Sequence, residues 1–235
     1  MDLSGSRALV TGGTRGIGRA IAQRLAAAGS RVVISGRSAR SVANALDEMN
    51  QQAARPFVGK ACDVGEDAQV GALIDSCRAE LGGLDVLINN AGIGIFKSVL
   101  EMTAAEWRDT IATNLDSLFF TCHRAIPLMR EAGRGFIINI GSLAGKNAFP
   151  HGAAYNASKF GLIGFSEALM QEVRHDDIQV AYVMPGSVDT DFGRSGRASW
   201  KIAAEDVAEV VIQTLERHPR CLTSRIEMRP SKPPK

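Results

Sequence analysis

Along the chain, short apolar runs alternate with segments whose apolar residues recur every three or four positions. The runs predict strands at Ala8–Val10, Arg31–Ser35, Phe57–Cys62, Leu84–Asn89, Phe136–Ile140, Gln179–Val183 and Arg225–Met228. Between them, Ile17, Ala20, Ile21, Leu25 and Ala28 fall at helical spacing, with Gly29 as the stop. Val42, Ala45, Leu46 and Met49 mark a second helix, and Val70, Leu73, Ile74 and Cys77 a third, closed by Gly82-Gly83. One long helical segment is predicted from about Thr103 to Arg130, carrying Trp107, Ile111, Leu115, Leu118, Phe119, Cys122 and Ile126. Helices over Ala154–Arg174 and Ala204–Leu215 complete the series. Strands that are apolar on both faces, each followed by a helix, imply a mostly parallel sheet covered by helices on both sides. The fold class read from this pattern is α/β, with seven strands. Neither a linker nor a repeat interrupts it, so residues 1–229 are expected to form a single domain, followed by a Pro/Lys tail at 230–235.

Composition adds exclusions. The 235 residues are 45% hydrophobic and 22% charged, which excludes a disordered or fibrous chain. A net charge of +2 is too even to suggest a nucleic-acid or membrane-surface partner. No run approaches the roughly 18 apolar residues of a membrane span. The opening Met1-Asp2-Leu3-Ser4 lacks the pattern of a secretion signal, so a cytoplasmic location is expected. Cys62, Cys77, Cys122 and Cys221 are scattered, without metal-ligand spacing, and are expected to be small buried thiols. No metal is expected.

Candidate chemistry begins after the first strand, at Thr11-Gly12-Gly13-Thr14-Arg15-Gly16-Ile17-Gly18. A glycine-rich turn between a strand and a helix lets backbone approach a pyrophosphate, whose charge the helix N-terminus favours. Further on stand Asn89-Asn90-Ala91-Gly92 at the end of strand four, Asn114 in the long helical segment, and Ser142 after strand five. Tyr155-Asn156-Ala157-Ser158-Lys159 lies on the next helix, and Pro185-Gly186-Ser187-Val188-Asp189-Thr190 follows strand six. Tyr155 and Lys159 are four residues apart on a helix and so share a face. An ammonium beside a phenol favours the phenolate, which is expected to bring the Tyr155 pKa down toward neutrality and fit it for acid–base work.

In order and spacing these motifs resemble the short-chain dehydrogenase/reductase family, from about Leu3 to Met228. The resemblance implies a doubly wound Rossmann-type domain and catalytic roles for Asn114, Ser142, Tyr155 and Lys159. In such an enzyme Tyr155 gives a proton to a carbonyl oxygen that Ser142 holds, while a nicotinamide delivers hydride. Lys159 also grips the nicotinamide ribose, and Asn114 anchors a water on the proton path. Cofactor contacts are implied for Gly12, Thr14, Arg15, Gly16, Ile17 and Gly18, for Arg37 and Ser38, and for Asp63 and Val64. Asn90, Ala91 and Gly92, then Tyr155 and Lys159, and finally Pro185, Gly186, Val188 and Thr190 complete the expected cofactor site.

The second strand ends Ser35-Gly36-Arg37-Ser38, with no acid to bind a ribose 2′-hydroxyl and a guanidinium for a 2′-phosphate. With Arg15, this favours NADP(H) over NAD(H), and an acid placed at position 36 is expected to reverse the choice. Lys146, Asn147, Phe149 and His151 stand where they would rim the substrate pocket, and 191–200 reads as a short lid that is mobile without ligand. That short lid and the ending Arg225-Ile226-Glu227-Met228 resemble members that reduce diverse small carbonyl compounds or oxidise hydroxy acids more than those of fatty-acid synthesis. The expected function is an NADP(H)-dependent oxidoreductase interconverting a carbonyl compound and a secondary alcohol, as a homodimer or homotetramer. The alternative is a catalytically silent dinucleotide-sensing regulator of the same fold.

Overall fold

The computed structural model describes residues 1–51, 53–192 and 198–233. The expected lid at 191–200 and tail at 230–235 are therefore described only in part, since 193–197 and 234–235 lie outside the described residues. Seven strands form one all-parallel sheet. They are β1 (Arg7–Val10), β2 (Arg31–Gly36), β3 (Val58–Ala61), β4 (Val86–Asn89), β5 (Gly135–Ile140), β6 (Ile178–Pro185) and β7 (Arg225–Met228). Their order across the sheet is β3-β2-β1-β4-β5-β6-β7, so the connections reverse direction between β1 and β4. Such a reversal opens a crevice at the carboxyl ends of the strands, the usual ligand position of a Rossmann-type sheet.

Alternation along each strand supplies two cores. Ala8 and Val10 of β1, Val86 and Ile88 of β4, and Phe136, Ile138 and Ile140 of β5 face one side. There they meet helices α1 (Gly16–Ala27), α2 (Ala39–Asn50) and a later helix, Ala204–Leu215, through Ile21, Leu25, Met49 and Val211. Leu9, Leu87 and Ile137 face the other side, against α3 (Asp67–Leu81), α5 (Ser117–Ala132) and α6 (Ala153–Val173). Between α3 and α5 runs α4 (Ala104–Ile111), and the Ala204–Leu215 helix is α7.

Most predicted elements appear with ends shifted by one or two residues. The long helical segment differs in kind. Thr103 and Glu106 form a reciprocal capping box that starts α4, and a π turn at Ala112–Asp116 then separates it from α5. Pro127 sits inside α5 without ending it, and Gly133 closes that helix with φ +66. Cys221 also departs from expectation: it is exposed, in the loop between α7 and β7, whereas Cys62, Cys77 and Cys122 are buried. Burial pushes those three thiols up, to about 11, 12 and 12, which keeps them protonated and unreactive. No helix among the described residues is long and apolar enough to cross a membrane, and none of their His, Cys, Asp and Glu side chains cluster to hold a metal ion.

At the amino ends of the strands, Asp85 is fully buried and accepts from the Arg7 amide at 2.9 Å, the Arg7 guanidinium at 2.9 and 2.8 Å, and Arg134 at 3.1 Å. Burial pushes its pKa up, but the bonds from Arg7 and Arg134 outweigh that and hold it at about 2. Replacing Asp85 by Ala removes the carboxylate that an amide and two guanidinium groups share and is expected to lower stability by about 2–4 kcal/mol. The loss should shrink in acid, because a carboxylate whose folded pKa is depressed stabilises only above its unfolded pKa. Its contribution disappears as pH falls from about 3.8 through about 2. Urea titrations of parent and variant at pH 7 and in acid check both statements.

Candidate active site

The glycine loop after β1 is built around close contacts. Gly12 has φ +64, and a Cβ there would stand 2.9 Å from the Ala91 Cα. At Gly18 a Cβ would stand 2.3 Å from both the Gly12 oxygen and Asn90 Nδ2. Asn90 Nδ2 donates to the Thr11 and Gly12 oxygens at 2.9 and 3.1 Å, and the Asn90 and Ala91 amides donate to Thr11 Oγ1. The β4 loop is thus tied to the glycine loop across the crevice. Arg15 precedes α1 without capping it through its side chain, and the first turn holds no acid. Its amino end is therefore open to an anion.

Tyr155 and Lys159 stand one turn apart on α6, both buried. Lys159 Nζ donates to the Ile140 oxygen at 3.0 Å and lies 5.8 Å from the Tyr155 ring centre. Ser142, just after β5, accepts from the Ala144 amide at 3.1 Å and lies near enough to the Tyr155 hydroxyl to lower its pKa. Asn114 occupies the middle of the π turn, almost fully buried. Its Oδ1 accepts from the Ile93 amide at 2.8 Å, and its Nδ2 donates to the Ile93 oxygen at 2.9 Å and to Ser158 Oγ at 3.1 Å. Ser158 in turn donates to the Tyr155 carbonyl at 2.8 Å. Asn114 therefore joins the β4 loop to α6 beside the tyrosine. The short helical break explains why an asparagine unfavourable in a regular helix sits here.

The glycine loop, Ser142, Tyr155 and Lys159 share one cleft of about 1020 Å³ that runs from the glycine loop, past Arg37 and Asp63, to Lys159, Tyr155 and Phe192. A family model described as short chain dehydrogenase matches residues 6–200. The chain belongs to that family. It is an oxidoreductase of the short-chain dehydrogenase type, and similar proteins agree. It is 38% identical over 200 residues to the 3-oxoacyl-acyl-carrier-protein reductase FabG of Escherichia coli (strain K12), spanning 83% of this chain and 78% of that one. A metagenomic short-chain oxidoreductase solved in complex with NADP superposes with a TM-score of 0.87 at 36% identity, covering 99% of this chain and 100% of the other. A short chain dehydrogenase from Burkholderia cenocepacia J2315, also in complex with NADP, gives 0.87 at 30% identity over 97% and 98%.

Within this family member, the cleft gathers most of the residues expected from sequence. Gly12, Thr14, Arg15, Gly16, Ile17, Gly18, Arg37, Asp63, Val64, Asn90, Ala91, Gly92, Ser142, Tyr155, Lys159, Pro185, Gly186, Val188 and Thr190 all line it. Ser38 does not; it caps α2 by accepting from the Ser41 amide at 3.1 Å. Asn114 lies behind the wall rather than on it. Of the four expected rim residues, Phe149 alone reaches the cleft. Lys146 is drawn 2.8 Å from Glu227, and the exposed His151 adopts a left-handed backbone with φ +65.

Two further points correct the sequence reading. Burial raises the Tyr155 pKa, and the nearby Ser142 hydroxyl offsets only part of this, so in the free enzyme the phenol is not drawn toward neutrality. The ammonium expected to do that is turned to the Ile140 oxygen, and burial holds Lys159 itself down at about 8. Gly36 is also more than a missing acid. A Cβ there would stand 2.6 Å from Thr14 Cγ2, so the glycine loop packs where a side chain would go.

Sequence reasoning missed Phe96 and Phe192, whose rings flank Tyr155 with centres at 5.4 and 5.9 Å. A buried polar chain under the site ties β4 to β5 through Asn89. Asn89 Nδ2 donates to Asn139 Oδ1 at 2.9 Å, Asn139 Nδ2 donates to Ser166 Oγ at 2.8 Å, and Thr121 donates to Asn89 Oδ1 at 2.8 Å. Polar residues within otherwise apolar strands at Asn89 and Asn139 were the available signal.

Proposed function

We propose that this enzyme reduces a small carbonyl compound with NADPH, and oxidises the corresponding secondary alcohol with NADP in reverse. The observation that carries the reading is Tyr155 beside Ser142, with buried Lys159 one turn away, at the end of a cleft that begins in the glycine loop. The loop fits a dinucleotide. Gly12 and Gly18 leave no space for side chains, and the uncapped first turn of α1 presents N–H groups to a pyrophosphate. Arg37 and Arg15 supply cations for a 2′-phosphate, and the NADP complexes of similar chains support that choice. When bound, the cofactor supplies or accepts hydride at the carbon of the reacting carbonyl.

The chain's own residues do the rest. Ser142 Oγ accepts from the Ala144 amide, which leaves its hydrogen for the carbonyl oxygen. Tyr155 holds the proton that this oxygen receives and takes it back in the oxidative direction. Lys159 keeps two N–H donors beyond its bond to Ile140, suited to ribose hydroxyls and to proton resupply. Asn114 positions Ile93 and Ser158, and through Ser158 the helical turn that carries Tyr155. The complete set Ser142, Tyr155 and Lys159 weighs against a silent sensor of the same fold. The reading extends to a cytoplasmic homodimer or homotetramer that engages neither nucleic acid nor membrane. Exposed Trp107 on α4, Phe119 on α5 and Phe160 on α6 support contact between copies, and the balanced charge supports the remainder.

Cofactor choice tests this reading. A bidentate guanidinium contact to phosphate is worth roughly 1.5–3 kcal/mol, or about ten- to a hundred-fold in affinity. NADPH is expected to bind more tightly than NADH by that factor, and Arg37→Ala to erase most of the difference. Gly36→Asp alone is expected to weaken both cofactors, because its Cβ meets Thr14. Combined with Thr14→Ala it should favour NADH, the carboxylate repelling the phosphate and accepting from the ribose hydroxyls. Fluorescence titrations give all the ratios, and a parent protein that prefers NADH contradicts the assignment.

A further inference from the structure

The far end of the cleft carries its own chemistry. Phe96 packs edge-on against Tyr155, with ring centres 5.4 Å apart and planes at 71°. Phe192 meets the same ring at 5.9 Å, and Phe149 meets Phe96 at 5.8 Å. Two of these rings converge over Gly94, where a Cβ would stand 2.7 Å from Phe96 Cζ and 3.2 Å from Phe192 Cε1. A glycine is what lets them close on the tyrosine. Phe149 and Phe192 remain 42% and 43% exposed, an unusual position for phenylalanine in a cleft wall unless something apolar covers it.

Charge points the same way. Among the described residues that line the cleft, the cations Arg15, Arg19 and Arg37 belong to the glycine-loop end, and Lys159 lies beneath the tyrosine. The acidic liners are Asp63, Asp189, Asp191 and Glu205. Asp189 accepts from the Ala198 amide at 3.0 Å. The nearby lysines are turned away: Lys97 is paired with Glu106 and Lys146 with Glu227. The described part of this end therefore offers flat apolar rings and no cation for a carboxylate or phosphate.

Resting on the carbonyl-reductase reading, we propose that the substrate is an aryl ketone, held with its ring among Phe96, Phe149 and Phe192 and its oxygen at Tyr155 and Ser142. The reaction balances as hydride to the carbonyl carbon and a proton from Tyr155 to oxygen. The C=O π bond is lost, one C–H and one O–H bond form, the ketone is reduced and the dihydronicotinamide oxidised. Offset or edge-on ring contacts favour an aromatic group over an aliphatic one of similar size.

The test compares NADPH oxidation by the full chain with four probes: acetophenone, 2-butanone, acetoacetate and an acetoacetyl thioester of N-acetylcysteamine. The expected kcat/KM for acetophenone exceeds each of the other three by about tenfold or more, the order expected for two or three ring contacts. Phe96→Ala and Phe149→Leu should each lower acetophenone kcat/KM about three- to ten-fold, chiefly through KM, while 2-butanone changes less than twofold. Phe149 is half exposed, so its conservative variant keeps the test valid if Phe96→Ala folds poorly. Preference for acetoacetate or the thioester, or equal losses on all ketones in both variants, overturns the aryl-ketone assignment while leaving carbonyl reduction standing. Failure on every probe by protein that binds NADPH overturns the carbonyl-reductase reading itself.

Discussion

Replacing Tyr155 by Phe is expected to lower ketone turnover by about two to four orders of magnitude, the range of general acid catalysis, with NADPH affinity changed only a few-fold. The substitution removes one oxygen and keeps the ring that packs against Phe96 and Phe192, so the wall of the site survives. What disappears is the proton for the carbonyl oxygen. Because burial raises the Tyr155 pKa, the hydroxyl is protonated at neutral pH, the form that reduction needs. The kcat/KM for reduction should therefore stay level through neutrality and decline only in base, whereas alcohol oxidation, which needs the base form, should climb with pH. Steady-state rates in both directions, with cofactor titration of the variant, decide the matter. Near-normal turnover in Tyr155→Phe removes the tyrosine from the chemistry.

Lys159→Met is expected to separate activity from stability. Turnover should fall by orders of magnitude and NADPH affinity should weaken by about tenfold, since the lysine is assigned both proton resupply and a hydrogen bond to the ribose. The folded protein, however, should become more stable at pH 7. Burial holds the Lys159 pKa at about 8 against 10.5 when exposed. Below about pH 8 the lysine is charged in both states and the folded state bears the full desolvation penalty. Between about 8 and 10.5 the folded lysine has released its proton while the unfolded chain keeps one, so stability rises with pH. Above that range both are neutral and the penalty is gone. At 1.36 kcal/mol per pKa unit the penalty is about 3 kcal/mol, offset by roughly 1 kcal/mol for the bond to the Ile140 oxygen. A net gain of about 2 kcal/mol, a rise of roughly 4–8 °C in Tm, should appear at pH 7, vanish at about pH 9.5 and reverse above it. A variant less stable than its parent at pH 7 contradicts the desolvation argument.

The sheet was legible because its strands are buried on both faces. Val32, Val33 and Ile34, or Phe136, Ile137 and Ile138, read as continuous apolar runs, and each is followed by a helix with one apolar stripe. The catalytic positions were legible as types in order, from the glycine loop to the Tyr155–Lys159 pair. Their states were not. Spacing places Lys159 on the same face as Tyr155, but only the fold reveals that Nζ turns to the Ile140 oxygen and that burial shifts both groups away from the charged form. The π turn at Ala112–Asp116 was hidden because the apolar periodicity of Thr103–Arg130 survives a bulge of one residue. Phe96 and Phe192 were invisible as partners of Tyr155, since they come from loops after β4 and β6 that carry no periodicity. Position 36 read as an absent charge, whereas its neighbour Thr14 makes it an absence of space.

The most direct measurement follows the hydride itself. NADPH deuterated at both C4 positions of the dihydronicotinamide is mixed with excess enzyme and acetophenone or 2-butanone, and the alcohol is analysed by mass. The parent enzyme should place one deuterium on the carbinol carbon, and the Tyr155→Phe protein, with the cofactor bound, should transfer almost none on the same timescale. An alcohol without label, or no alcohol from either ketone with NADPH bound to the parent protein, would contradict the account.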